Sequence, residues 1–380
     1  MPLRRLFCTV LIVLLAGCDG TPEPEPLLKF GWREVQLPAP AGAPGRVMLR
    51  DAVACGGVWY LTGAVFASDD TRPAAWRSAD GLHWTSITFA PRSYYGGRSI
   101  VYAAGCRDGK LAAVGAKSGG AHGNPRISTW FQLPDGSMDE VTAYFELYGG
   151  NTAVNTSRIA SGPAGWALSG NRASGAAVWT SPDATEFKIL EGAPELSTDG
   201  RGLVWASDIA AYGPGWMMAG GVMPQGQVFR DPLIWTSPDG RSWSRVPVPA
   251  TEEHEDLHRL AQDGRGMFAA GVRGQTFGLW ADLGTGWRAV GRFGSAGTHG
   301  IPAVMSLCAL GDRLLAVASD GEGAHRLWSS PTGESWREVA LPGAAPAGND
   351  QVAVITGSRQ QILLAVDDGA LARAWVATPS

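Results

Sequence analysis

The sequence predicts an all-β chain: a seven-bladed β-propeller with four-stranded blades, whose last blade is closed by a strand from near the N-terminus. Three observations predict it. Tryptophan recurs at a fixed place in a repeated segment. The apolar runs are short and lack a sustained 3.6-residue period, which argues against helix. One segment near the start of the chain duplicates another near its end.

The 380 residues include 52 Gly, 25 Pro and 16 Trp. Aperiodic Gly and Pro at this level can accompany disorder, but disordered chains are poor in Trp. Here Gly marks tight turns and Trp a repeated packing position. The formal charge of −4 falls to −6 once a leader carrying Arg4 and Arg5 is removed. There is no basic stripe, so nucleic acid is not an expected partner.

In chain order, residues 1–17 read as a leader. Arg4 and Arg5 precede an apolar run of about ten residues, too short to span a bilayer and suited to a signal peptide. The run ends in Leu15-Ala16-Gly17-Cys18, which resembles the lipobox of bacterial lipoproteins. The resemblance implies cleavage before Cys18, acylation of its sulfur and new amine, and a membrane anchor. Two or three acyl chains anchor stably, at about 0.8 kcal/mol per buried CH₂. Asp19 resembles the inner-membrane retention signal of some Gram-negative lipoproteins, so the expected location is the cell envelope, facing the periplasm. Residues 18–26 then hold the lipidated Cys and a stiff Pro/Glu spacer, and 27–380 form the propeller.

The repeat is clearest in Trp235-Thr-Ser-Pro-Asp-Gly-Arg-Ser-Trp243, echoed by Trp76…Trp84 and Trp328…Trp336. Weaker copies are Trp130…Met138, Trp179…Phe187 and Trp280…Trp287. With Trp375, the first aromatics are spaced by 45–56 residues, which suits one four-stranded blade per repeat. Ser-Pro-Asp-Gly is turn chemistry: Pro fixes φ, Asp bonds its own backbone and Gly supplies positive φ. Upstream lies a second hairpin of the inner strands, seen by aligning Asp51…Gly63, Arg158…Gly170, Asp208…Gly220 and Arg259…Gly271. Closure follows from Trp32-Arg-Glu-Val-Gln-Leu-Pro38, a duplicate of Trp336-Arg-Glu-Val-Ala-Leu-Pro342. The last repeat lacks an outer strand and the N-terminal end has a spare one.

The hairpin resembles the Asp-box, or BNR, repeat of sialidase-like propellers, with Ser237, Asp239, Gly240 and Trp243 matching in kind and one residue missing between Asp and Gly. The resemblance implies a fold; Asp-boxes lie on turns away from the sialidase active site and recur in non-enzymes. Sialidases hold a substrate carboxylate with three arginines from different blades, beside a Tyr–Glu pair and an acidic Asp. Where the first of those arginines is expected the chain has Asp51-Ala-Val-Ala, and no Tyr–Glu pair can be assigned. Arg92, Arg158, Arg230 and Arg259 are scattered, and their convergence is left open, since nothing in their spacing shows it.

His254-Glu-Asp-Leu-His258 satisfies the zinc-protease pattern, which needs a helix to place both imidazoles on one face. The repeat alignment puts His258 just before an inner strand, so no metal site is expected. No nucleophile elbow, phosphate loop or zinc-spaced Cys pair occurs, and neither catalytic residue nor cofactor is assigned. Once Cys8 leaves with the leader and Cys18 carries lipid, Cys55, Cys106 and Cys308 remain. An odd count leaves at least one free thiol or an external partner. Buried free cysteines are the expected state, with any disulfide left open.

Function then rests on surface. The connections between blades and the second-to-third-strand loops share one face, predicted to carry Arg92, Tyr94, Tyr95, Arg98, Tyr148, Arg158, Trp205, Arg230 and His254. Long loops at 64–75, 116–129 and 221–234 belong to the same face. Arg and aromatic residues are enriched at binding hot spots. The leading expectation is a non-enzymatic binding or scaffold lipoprotein engaging an envelope protein or glycan; the alternative is a glycan-active hydrolase of the sialidase-like superfamily. An acidic pair at the channel mouth favours the enzyme, and an aromatic–Arg patch favours binding.

The anchor is tested by Cys18→Ser. The substitution should abolish lipid labelling and leave unprocessed precursor; processing to the same mature N-terminus would contradict lipoprotein maturation.

Overall fold

The computed structural model describes residues 25–68, 70–119, 123–297, 299–321 and 323–379. The leader, Cys18, Asp19 and most of the spacer lie outside them. Among the described residues the strands form seven antiparallel blades around one axis. The innermost strands are Arg46–Cys55, Ile100–Arg107, Ala153–Gly162, Leu203–Tyr212, Glu255–Asp263, Ala303–Leu310 and Val352–Ser358. Each blade then runs outwards in chain order. In the second blade, Phe89–Ala90 adds a short parallel strand outside Met138–Glu140. The seventh blade has three strands of its own, and Arg33–Val35 supplies the fourth. Glu34 stands opposite Trp375, antiparallel. The duplicated segment is thus the closing strand.

The outer hairpins are built from their own side chains. Ser78 and Ser237 Oγ accept the N–H of Gly81 (2.9 Å) and Gly240 (2.8 Å). Asp80 and Asp239 Oδ1 accept the next two backbone N–H groups at 2.7–2.8 Å. Gly81, Gly240 and Gly333 take φ of 77°, 73° and 85°, the left-handed region where a side chain is strained. The second Trp closes the turn: Nε1 of Trp84, Trp243 and Trp336 donates to the carbonyl of that glycine at 2.9–3.1 Å.

The core consists of seven apolar layers, one between each pair of neighbouring blades. The first Trp of each repeat lies on the third strand and packs against the preceding blade. Trp130 meets Tyr60 and Ala75 of the first blade, and Trp235 joins Ala167 and Val178 of the third. Trp375 packs with Leu315 and Leu327 of the sixth, and Trp76 closes the circle against Leu363 and Val376 of the seventh. Trp328 is half-buried, whereas Trp76, Trp130, Trp179, Trp235 and Trp280 are fully buried. Three of their indole N–H groups also tie down the connections between blades. Trp76 donates to Pro38 O, Trp179 to Leu147 O and Trp235 to Glu195 O, at 2.7–2.8 Å.

Six innermost strands carry a bulge at the same height, and the seventh is regular. The ladder skips Arg50, Tyr102, Ser157 with Arg158, Ser207, His258 and Met305, and a bulge re-aims such residues. Facing the bulges are Gly63, Gly220 and Gly271, where a Cβ would stand 1.8–1.9 Å from a carbonyl oxygen of the neighbouring strand. The glycine ending each aligned inner-hairpin segment is explained by that approach.

Several expectations are corrected. The long loops shrink, because the strands extend into them: Val58–Ala67 nearly meets Asp70–Ser78, and the others narrow to 119–124 and 224–230. His258 and Trp205 lie within inner strands rather than before them. Cys55 and Cys106 are joined as a disulfide between the first two blades, leaving Cys308 free. The two cysteines lie at the ends of neighbouring inner strands, Cys55 last and Cys106 last but one, 51 residues apart, and so arrive side by side.

Closure involves more than one strand. Leu28 N donates to Glu338 O (2.9 Å) and Trp32 Nε1 to Ala340 O (2.9 Å), binding the N-terminal segment to the sixth blade. Phe30 and Val35 are buried in the layers on either side of the seventh. Deleting residues 27–38 should therefore cost at least about 3 kcal/mol, from the apolar burial of those two side chains alone, and expose a strand edge. Calorimetry showing an unchanged melting temperature would contradict this closure.

Candidate functional site

On the axis, the first residue of each aligned inner-hairpin segment points inwards. Asp51, Arg158, Asp208 and Arg259, from the first, third, fourth and fifth blades, line one axial channel of about 350 Å³. Arg158 pairs with Asp51 at 3.0 Å. Asp51 Oδ1 accepts Ala52 N (3.0 Å) and its Oδ2 accepts Ala104 N on the next blade (2.9 Å). Asp208 repeats the device with Ile209 N (2.9 Å) and Leu260 N (2.8 Å). Arg158 and Arg259 both donate to the carbonyl of Met305, at 3.3 and 2.7 Å. Burial pushes the Asp208 carboxyl up, against the pull of Arg259 and Arg158. Burial, with the like charge of Arg158, pushes Arg259 down to about 9. Cys308 also lines the channel, its thiol raised to about 12 by burial.

Above the channel opens a basin of about 610 Å³ over the third to sixth blades. Its floor shares Arg158 and Arg259 with the channel, and its walls are Trp205, Arg230, His254, Asp256 and His258. Arg230 pairs with Asp256 at 2.5 Å and lies 5.8 Å from the Trp205 ring centroid. Asp256 is buried, which opposes its charge, yet His258 and Arg230 outweigh burial and hold its pKa below the usual carboxylate range. His254 Nδ1 accepts Arg230 N (3.2 Å) and His258 Nδ1 accepts Val304 N (3.1 Å). Burial lowers His254 below its ordinary value. The rim is apolar at Ile301, 87 % exposed, and Pro302, and Phe229 packs edge-on to His254.

The structure thus brings together Arg158, Trp205, Arg230 and His254 of the predicted face, and Arg259 joins them. The other five lie on the second blade and its connections. Arg92 donates to Asp139 (Nε, 2.9 Å), while the Glu140 carboxylate accepts Arg92 N (2.6 Å) and Ser93 N (2.9 Å). Arg98 pairs with Asp70 at 2.6 Å and covers the Tyr94 ring, which meets Tyr95 edge to face. Tyr148 is buried against Trp179, and burial pushes its phenol up. His258, weighed from sequence only as a metal ligand, and Ser157 were not placed on the predicted face; the bulge turns both into the basin. Although His254, Asp256 and His258 all line the basin, no group of three metal-binding side chains occurs among the described residues.

No family model matches the chain, and no curated protein matches it. Solved structures of similar shape exist. A puromycin-hydrolyzing peptidase of Mycobacterium tuberculosis superposes with a TM-score of 0.50 at 13 % identity, covering 84 % of this chain and 49 % of its own. The β-propeller domain of the Trilobed protease from Pyrococcus furiosus gives 0.49 at 9 %, covering 88 % and 94 %. A mutant Trypanosoma rangeli sialidase displaying trans-sialidase activity gives 0.47 at 11 %, covering 92 % and 60 %. The chain spans about three fifths of the length of the sialidases it resembles. At these identities the likeness is one of fold.

The axial pair yields a stability test. Removing one partner of a buried pair leaves an uncompensated charge, so Arg158→Met should cost about 3–5 kcal/mol. Asp51→Ala in the same chain should cost less than the sum of the single changes by more than about 1 kcal/mol. Additive costs in urea unfolding would show that the two side chains do not act as a pair.

Proposed function

We propose that the protein is a non-enzymatic binding or scaffold protein of the bacterial cell envelope, anchored through acylated Cys18, which engages a protein or glycan partner over the axial basin. The observation that carries this reading is the gathering of Trp205, Arg230, His254, His258 and Arg259 around one open concavity with an apolar rim. Arg and Trp are the residue types that dominate binding hot spots. Exposed apolar side chains rimming a polar floor mark an interaction surface. Arg230 and Arg259 face the basin, and Arg259 stands within 4.0 Å of no carboxylate among the described residues, so the basin favours a partner rich in acceptor oxygens.

The glycan-hydrolase alternative needs a carboxylic acid free to protonate a leaving oxygen and a second carboxylate across the bond. The acidic pair at the axis is Asp51 and Asp208, and both oxygens of each already accept backbone N–H groups. Asp256 is held ionised beside Arg230. The chemistry of these three carboxylates supports binding.

Trp205→Ala is the discriminating substitution. Trp205 is half-buried at the basin wall, outside the inter-blade tryptophan pattern, so stability should stay within about 1 kcal/mol of wild type. Trp235→Ala, by contrast, should cost about 3–5 kcal/mol. Pull-down from membranes with the acylated protein should lose its partner with Trp205→Ala. A partner retained at full level, or turnover of a sialoside abolished by Asp208→Asn, would contradict the reading.

A further inference from the structure

A second concavity lies between the second and third blades, beneath the single α-turn Phe145–Tyr148, and shares no lining residue with the axial basin. Its volume is about 220 Å³. Tyr102, Ile127, Phe145, Tyr148 and Val154 form its walls. Phe145 and Val154 each leave about half of their surface in water, 53 % and 49 %. Two large apolar side chains exposed together over a hollow lined by aromatic rings call for an apolar occupant.

The polar groups of this cleft are unequal. The Tyr102 hydroxyl is taken up by Thr156, and that of Tyr148 faces Thr129 at 3.3 Å. Arg126 is the exception. Its guanidinium lies over the Phe145 ring at 4.6 Å and 5.8 Å from the Tyr95 ring. Among the described residues it pairs with no carboxylate. Directly across the ladder stands Lys117, a like charge, which is itself committed to Asp70 at 2.7 Å. Like charges face to face on a sheet are destabilising unless an anion relieves them. Lys117 has its anion, whereas Arg126 has two aromatic faces and the mouth of the cleft.

We propose that this cleft is a second ligand site, independent of the axial basin, for a small monoanionic carboxylic acid with an aromatic or branched apolar body. The body fills the space between Tyr102, Ile127, Phe145 and Val154. The carboxylate pairs with Arg126, whose planar fork suits bidentate contact and whose stacking on Phe145 fixes its orientation.

The test is calorimetric titration of the detergent-solubilised full chain with 3-phenylpropionate and with its uncharged primary amide. The acid should bind saturably at one site, and the amide about tenfold more weakly. Arg126→Gln should weaken the acid by about tenfold while leaving the amide unchanged. Arg126→Lys, which keeps the charge but loses the planar fork and its stacking, should recover only part of the acid's affinity, and melting curves of both variants should match wild type. Three results would overturn the assignment. One is no saturable binding of the acid to wild type at about 10 mM, a concentration at which a ligand of this size filling a pocket should bind. Another is equal affinity for acid and amide. The last is acid binding retained by Arg126→Gln but lost in Trp205→Ala, which would place the ligand in the axial basin.

Discussion

Sheets packed face to face leave a bare apolar face at each end of the stack unless the stack closes on itself. That constraint governs this molecule. Both faces of every blade are buried against a neighbour, and seven apolar layers serve seven interfaces with none left over. The layer between the first and seventh blades is made by residues some 300 positions apart, Trp59 and Trp76 against Leu363 and Val376. Its formation requires every other layer to be in place. The N-terminal strand, the Trp at each third strand and the indole bonds to the connecting segments all serve that closure.

A ring of blades creates a second problem at its centre. Each innermost strand has one edge with no partner strand, and its N–H and C=O groups face a narrow channel. Side chains from adjacent blades meet that need. Asp51 accepts Ala104 N, Asn171 bonds both N and O of Ala206, Asp208 accepts Leu260 N and Ser306 accepts Ile355 N. Arginines serve the carbonyls, with Met305 O receiving two. Charge at the axis is therefore first a device for satisfying backbone. The bulges that re-aim these positions also turn Ser157, Ser207 and His258 towards the basin, so the candidate site is a consequence of how the ring is stapled.

Much of this was legible in the sequence, since the features that build the fold recur. Trp at 45–56-residue spacing and the duplicated Trp-Arg-Glu-Val segment established blade number and closure, because a repeat must bury the same position each time. The site was less legible because it is built from departures from the repeat. Asp51, Arg158, Asp208 and Arg259 occupy one aligned position on the inner hairpins, but their differing chemistry hid the convergence at the axis. Nothing local announces a bulge, so His258 was read as lying before a strand. The disulfide joins cysteines in neighbouring repeats at nearly equivalent positions, a relation visible only once the blades are laid side by side. Arg126 drew no notice, for its distinction is that it pairs with no carboxylate among the described residues.

The central claim is that the ring is one cooperative unit, stapled at the axis and closed through the seventh blade. Native-state hydrogen exchange in rising urea tests it at the amides of Ala104, Leu260 and Ile355, which report the second, fifth and seventh blades through their inter-blade bonds. The account predicts that all three exchange by the same global opening, with one free energy and one denaturant slope. Exchange of Ile355 through a separate opening of lower free energy and shallower slope, with Ala104 and Leu260 still protected, would contradict it.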